Sequence, residues 1–473
     1  MLFPTVEFAL FFLAVLLVSW SLYRFNAVHK LLLLTASYIF YGFWSWNYVP
    51  LLFSISLVSG LIAQRIQGSL TERRRKAWLA TGVTICMATL GYYKYTTFLL
   101  ISILNAWAIV ARPPRITIPE PLLPLGVSFF VFHAISLMMD AYRGKLKERV
   151  RLGDALLYVA FFPQLIAGPI LRASSFLPQL RARRNPQAIR VNRALLLIAT
   201  GLFKKVVISN LLATRLVEQV FAAPEAFHRG DVLLAVYGYA AQIYCDFSGY
   251  TDIAIGCAML LGYRFPRNFN APYAAMDPQS FWKRWHISLS SWLRDYLYIP
   301  LGGSRGSAAR TCVNLMITML LGGLWHGAAW TFVIWGALHG FYLVVHRLWS
   351  SIPWPLLVRM RRTAAWQWTA RLLLFHAVCL GWVFFRSPSF AIAFAMLRQL
   401  AVPGVCTLLS VSVGLALLAG LAGQFQPLRW RRALEFELGR WPALARGAAF
   451  AVAIFVIEVL GPSGVAPFIY FRF

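Results

Sequence analysis

Two histidines, His326 and His286, are the residues with obvious chemical reach. His326 lies in Leu320-Leu321-Gly322-Gly323-Leu324-Trp325-His326-Gly327-Ala328-Ala329-Trp330, within residues 311–345, which hold no Asp, Glu, Lys or Arg. His286 lies in Phe281-Trp282-Lys283-Arg284-Trp285-His286-Ile287-Ser288-Leu289-Ser290. An ionisable group at bilayer depth is costly, and such groups face protein or a water-filled cavity and mark functional sites. A neutral imidazole can accept the proton of a hydroxyl as that hydroxyl attacks a thioester, and burial favours the neutral ring. A second imidazole can orient the first, or stabilise charge developing on the carbonyl oxygen. Glycines at 322, 323 and 327 clear side chains from both sides of His326, so another backbone or a ligand can approach it. The competing reading is a core histidine hydrogen-bonded to a neighbouring helix.

Other residues could serve this pair. Asp277-Pro278 reads as the N-cap and first residue of a helix running through 296. On that helix Arg284, Ser288, Ser291 and Asp295 form a polar stripe, Trp285, Leu289, Trp292 and Tyr296 form an aromatic one, and His286 points away from the polar stripe. Trp325, Arg294, Asp295 and Trp285 are then candidates for lining a substrate tunnel. Asp246, in Asp246-Phe247-Ser248-Gly249-Tyr250, is a further candidate; a carboxylate in an apolar helix also commonly holds a basic group or orients a histidine. His133, His339 and His346 read as structural. Zinc would require a third ligand near His286 and His326, and none of suitable type stands nearby, so no metal is expected. The sequence contains no GxxxxGK[ST], HExxH or HxxxxD motif, which argues against P-loop ATPases, zinc proteases and soluble glycerolipid-type acyltransferases. The six cysteines form no CxxC pair and read as small packing residues.

The surrounding chain belongs in a membrane. Of 473 residues 59% are hydrophobic and only 13% charged, and the mean hydropathy is +0.64. Charge-free runs cover 31–64, 77–93, 95–111, 155–171, 311–345 and 399–428. With about 20 apolar residues per span, the chain accommodates roughly ten to twelve membrane helices, some broken or re-entrant. The aromatics and proline of 38–50 predict two helices there, and Ala167-Gly168-Pro169 predicts a break. The polar segments 112–115 and 172–193 read as connections. The N-terminus lacks the positive region and cleavage site of a signal peptide. A net charge of +29 would suggest nucleic acid in a soluble protein. Here the basic residues cluster between apolar runs, as loops on the cytoplasmic side do, and no nucleic-acid partner is expected. Some clusters could also rim the entrance for a polyanionic acyl donor. Residues 1–473 read as one integral-membrane domain with a catalytic core at about 230–350, without repeats.

The two histidine motifs, together with Tyr38-Ile39-Phe40-Tyr41, Leu165-Ile166-Ala167-Gly168-Pro169, Asp246-Phe247-Ser248-Gly249-Tyr250, Asn268-Phe269-Asn270-Ala271-Pro272-Tyr273 and Pro467-Phe468-Ile469-Tyr470-Phe471, resemble the membrane-bound O-acyltransferase (MBOAT) family. The nearest branch is that of the bacterial alginate O-acetyltransferase membrane subunit, although Arg472 replaces the glutamine expected in that branch and 351–371 diverges from it. The resemblance implies an all-α polytopic fold around a transmembrane tunnel, with His326 at the catalytic histidine and His286 at the second one. It implies no bound cofactor. It further implies acetyl taken from a cytoplasmic donor, acetyl-CoA, across a bacterial inner membrane to a periplasmic acetyltransferase or carrier that modifies an exported polysaccharide such as alginate. The alternatives are D-alanylation of teichoic acid by a related branch, a polysaccharide exporter, and a scaffold subunit of a polysaccharide synthase. An exporter would be expected to show inverted repeats with paired broken helices, which the sequence lacks.

Overall fold

The computed structural model describes residues 3–111, 114 and 116–462. Regular structure among these residues is helical throughout, which satisfies the backbone hydrogen-bonding groups within each segment, as a bilayer demands. Among the described residues six helices are long and apolar enough to cross a membrane, and up to seven if the bent pair Val411–Phe425 and Arg429–Arg440 forms one span. Other expected membrane segments form shorter apolar helices, such as Val6–Ser21 and Val127–Tyr142. Connection residues Arg112, Pro113 and Arg115, the motif Pro467 to Phe471, and Arg472 lie outside the described residues.

The chain forms two compact units, one of Met1–Arg190 with Cys257–Pro266 and the other of Val191–Gly256 with Arg267–Phe473. In the first, the aromatic stretch separates helices Asn26–Gly42 and Val49–Gly68 by a single 3-10 turn, Trp46–Tyr48. Pro50 falls in the first turn of the second helix, where a missing N–H removes no helix bond. The runs on either side of Lys94 join into one 39-residue helical segment, Glu72–Val110. A π-turn, Gly91–Tyr95, absorbs the interruption. Leu152–Ala160 stops at Phe161, and Pro163 opens the short buried helix Phe162–Leu165. The chain therefore breaks first at Phe161 and again at Ala167-Gly168-Pro169, which is non-helical as expected. The buried carboxylate of Asp154 is matched by Lys30 at 2.6 Å and Arg181 at 3.1 Å. His133 accepts a hydrogen bond from the Leu171 amide at 3.3 Å, which is the packing role expected of it.

The second unit contains the histidine motifs. Its segment Val191–Ala222 passes through two π-turns, Phe203–Ser209 and Ala213–Val217. The 32-residue helix Arg229–Leu260 carries Asp246. Ala308–His326 and Trp330–Ser350 form a hairpin, and Ala364–Arg386 packs against its second arm. The close approach requires glycine at two positions. A Cβ on Gly323 would strike the Phe332 carbonyl oxygen, and one on Gly336 would strike that of Met319. Small residues that let backbones touch are the usual cement between membrane helices, since lipid offers no hydrophobic drive for association. All six cysteines are free.

Candidate active site

His326 is the last residue of its helix. Ser307 caps the start, its hydroxyl accepting from the Arg310 amide at 3.2 Å, and the chain turns extended at Gly327. A Cβ on Gly327 would collide with the Phe332 ring. The glycines around the imidazole therefore make room for protein, Gly322 against Leu293 and the other two against Phe332. His326 is buried at 3% exposure, with ring centroids of Trp335 at 4.9 Å, Trp325 at 5.1 Å and Phe385 at 5.3 Å. The carbonyl end of a helix favours a cation.

His286 is not on the continuous helix that periodicity predicts. The segment consists of Pro278–Trp282, a turn, Ile287–Leu293, and a π-turn at Arg294–Tyr298. Between them His286 adopts the left-handed conformation, φ 41° and ψ 55°. The groups that a continuous helix would pair internally are bonded elsewhere. The Arg284 carbonyl accepts from the Asn270 amide at 2.9 Å, and the Ile287 amide donates to the Asn268 carbonyl at 2.9 Å. The expected stripes therefore lose Arg284 and Trp285 at the turn, while Leu289, Trp292 and Tyr296 stay buried beyond it, the last two with ring centroids 5.1 Å apart. Asp277 does cap the first piece as read, its side chain and that of Ser280 forming a reciprocal capping box.

The turn brings the two imidazoles together. His286 is fully buried, with its ring centroid 6.5 Å from that of His326, 6.1 Å from Trp325 and 4.5 Å from Phe247. Neither of its ring nitrogens has a hydrogen-bond partner among the described residues. The two rings are thus neighbours without a direct hydrogen bond, so His286 does not orient His326 in that way. Buried polar atoms are ordinarily satisfied, which leaves both nitrogens of His286 able to bond a reacting group.

The remaining predicted residues divide. Trp325 is beside both histidines. Arg294 lines a cavity of about 610 Å³ whose walls also include Trp282, Lys283, His346 and Arg347. Asp295 bonds Arg294 at 2.8 Å and does not line that cavity. Trp285 is core, stacked on Phe281 at 5.7 Å and 5.0 Å from Trp382. The carboxylate of Asp246 is paired with the buried ammonium of Lys205 and bonded by Ser209 at 3.4 Å, while its neighbour Phe247 packs on His286. Trp282 connects cavity and histidines, since its ring lies 5.8 Å from Trp335, which touches His326. His346, read as structural, is at the cavity wall, 3.7 Å from Asp277. Trp335, Phe385, Phe247 and Lys205 were not legible as site residues, because nothing in an aromatic or a lone lysine announces its tertiary neighbour. Among the described residues no group of three His, Cys, Asp or Glu side chains could hold a metal ion.

A buried imidazole pair beside a basic cavity fits acyl transfer, and the family model of MBOAT, membrane-bound O-acyltransferase, matches residues 95–385. The chain belongs to the membrane-bound O-acyltransferase family. This MBOAT chain is 42% identical over 369 residues to the probable alginate O-acetylase AlgI of Azotobacter vinelandii, covering 78% of this chain and 71% of that protein. Identity to the protein of the same name from Pseudomonas aeruginosa is 39% over 443 residues, 91% of this chain and 82% of that one. Identity to the peptidoglycan O-acetyltransferase of Helicobacter pylori is 36% over 395 residues, 78% and 73%. The protein is therefore a multi-pass membrane O-acyltransferase.

Proposed function

We propose that this acyltransferase takes acetyl from acetyl-CoA on the cytoplasmic side of a bacterial inner membrane and passes it across for O-acetylation of an exported polysaccharide such as alginate. The observation that carries the reading is the pairing of His286 and His326, buried 6.5 Å apart in the unit that also contains the basic cavity. The names of the relatives, alginate O-acetylase and peptidoglycan O-acetyltransferase, support acetyl as the group and a polysaccharide as its destination. Lys283, Arg294 and Arg347 suit the phosphates of a coenzyme A thioester, and the lining contains no Asp or Glu.

In this mechanism His326 removes the proton of an acceptor hydroxyl as its oxygen bonds to the acyl carbon. The carbon–sulfur bond then breaks, and the proton passes from His326 to the departing thiolate. His286, across the gap, donates to the oxyanion of the intermediate. The immediate acceptor is a hydroxyl of a periplasmic acetyltransferase or carrier, which completes transfer to the polymer.

The test is the O-acetyl content of secreted polysaccharide from deletion cells carrying the wild-type chain or His326→Ala at matched membrane levels. Loss of acetyl with unchanged polymer yield supports the reading. Full acetylation by the variant sinks the assignment of His326, and loss of the polymer itself points to an exporter or scaffold. Membranes that consume an aminoacyl carrier protein in place of acetyl-CoA would move the donor to D-alanyl transfer.

A further inference from the structure

The motif Asn268-Phe269-Asn270-Ala271-Pro272-Tyr273 has no part in the mechanism above, yet it runs alongside His286. Its contacts are unusual in one respect. His286 is the N-cap residue of Ile287–Leu293 but makes no side-chain cap bond. The first amides of any helix need acceptors, and the N-cap side chain ordinarily supplies one. Here Asn268 supplies them from outside the helix. Its carbonyl accepts from the Ile287 amide at 2.9 Å, and its Oδ1 accepts from the Ser288 amide at 3.1 Å and the Ser288 hydroxyl at 2.9 Å. These donors also fix which end of the side-chain amide is the oxygen. The strap is itself anchored. The Asn270 amide bonds the Arg284 carbonyl, and Arg284 donates to the Asn270 carbonyl at 3.2 Å. Phe269 meets Phe247 and Trp285 edge-on at 5.2 and 5.1 Å, and the Tyr273 hydroxyl donates to the Ala240 carbonyl at 2.7 Å.

We infer that Asn268 is a positioning residue for acyl transfer: by capping the Ile287–Leu293 helix in place of His286, it holds that residue in its left-handed turn with both imidazole nitrogens uncommitted beside His326. A histidine capping its own helix would tie a nitrogen to the backbone. A histidine inside a continuous helix, with its carbonyls and amides paired along the axis, would point elsewhere. The strap excludes both arrangements, and it explains why a non-glycine residue stays at positive φ. The inference rests on the reading of His286 as part of the acyl-transfer site.

The measurement is polysaccharide O-acetylation per unit of membrane-inserted protein for Asn268→Ala, Asn268→Asp and His286→Ala, alongside the thermal midpoint of each solubilised protein. Aspartate retains the acceptor oxygen, and its charge suits a helix N-terminus. Displacing a reacting group by about 1 Å can cost about 10²-fold in rate. Asn268→Ala is expected to lose acetylation on that scale with a midpoint near wild type, and Asn268→Asp to recover most of it. Wild-type activity in Asn268→Ala, or an Asn268→Asp as inactive as Asn268→Ala, overturns the inference while a dead His286→Ala leaves the site intact. Full activity of His286→Ala overturns the site and the inference with it. If Asn268→Ala does not accumulate, Ser288→Ala removes one donor to the same oxygen. A several-fold loss there supports the cap, and unchanged activity with an inactive Asn268→Asp overturns it.

Discussion

An imidazole at the carbonyl end of a buried helix experiences opposing influences. Desolvation favours the neutral base, and the helix terminus favours the cation that the base becomes. His326 occupies such a position, as the last residue of its helix. His326→Ala is therefore expected to lower kcat by about 10²–10⁴-fold, the usual contribution of a general base. KM for the donor should change little, because the residue acts on the hydroxyl. Steady-state kinetics on membrane vesicles would check this, and an unchanged kcat would remove His326 from the proton transfer. At the same scale, Asp246 illustrates how a carboxylate in an apolar helix is tolerated. It is buried with Lys205, and removing one partner of such a pair leaves an uncompensated charge, a loss of about 3–5 kcal/mol. Asp246→Asn should lower the thermal midpoint sharply. Asp246→Leu combined with Lys205→Met should restore most of that loss, since an apolar pair of similar volume has no charge to desolvate.

At the scale of the element, the hairpin of Ala308–His326 and Trp330–Ser350 depends on backbone contact. Gly323 and Gly336 each face a carbonyl oxygen on the opposing helix, so any side chain there must push the two arms apart. Overpacking of this kind costs about 1–3 kcal/mol. Gly336→Leu is expected to reduce both the thermal midpoint and acetyl transfer, the second because Trp335 adjoins His326. Gly447 has nothing within 4 Å of a Cβ, and Gly447→Ala should leave both readouts unchanged. Equal effects at 336 and 447 would show that the hairpin contact does not matter.

At the scale of the whole molecule, charge and chemistry are separated. The basic cavity, with Lys283, Arg294 and Arg347, presents cations to solvent, while the histidine pair lies beyond Trp282 and Trp335. Reversing one cation should weaken an anionic donor without touching the reaction. For Arg347→Glu the expected effect is a KM for acetyl-CoA raised roughly tenfold, about 1.4 kcal/mol, with kcat retained. The difference should shrink as salt shortens the range of the interaction. A KM insensitive to both the substitution and salt would place donor entry elsewhere.

How much of this was legible varies with the range of the interaction responsible. Helical class, membrane residence, the break after Phe43 and the cap at Asp277 follow from local chemistry: hydropathy, proline and a side chain bonding its own backbone. His326 was legible for the same reason, since a titratable group in an apolar run stands out wherever it lies, whereas His286, between Lys283-Arg284 and Arg294-Asp295, was legible from its motif. The sequence pattern misjudged the segment from Pro278 to Tyr296. Its composition suits one amphipathic helix, but it turns at His286, where the Asn268 carbonyl and the Asn270 amide bond the backbone on either side. Partners such as Lys205 for Asp246, 41 residues away in the chain, were equally out of reach. Residue types and their spacing determined that two imidazoles of a membrane acyltransferase are the candidates for the chemistry. Tertiary structure alone decided that they meet, because a hydrogen bond between distant segments can override the local preference for helix and leaves no periodicity behind.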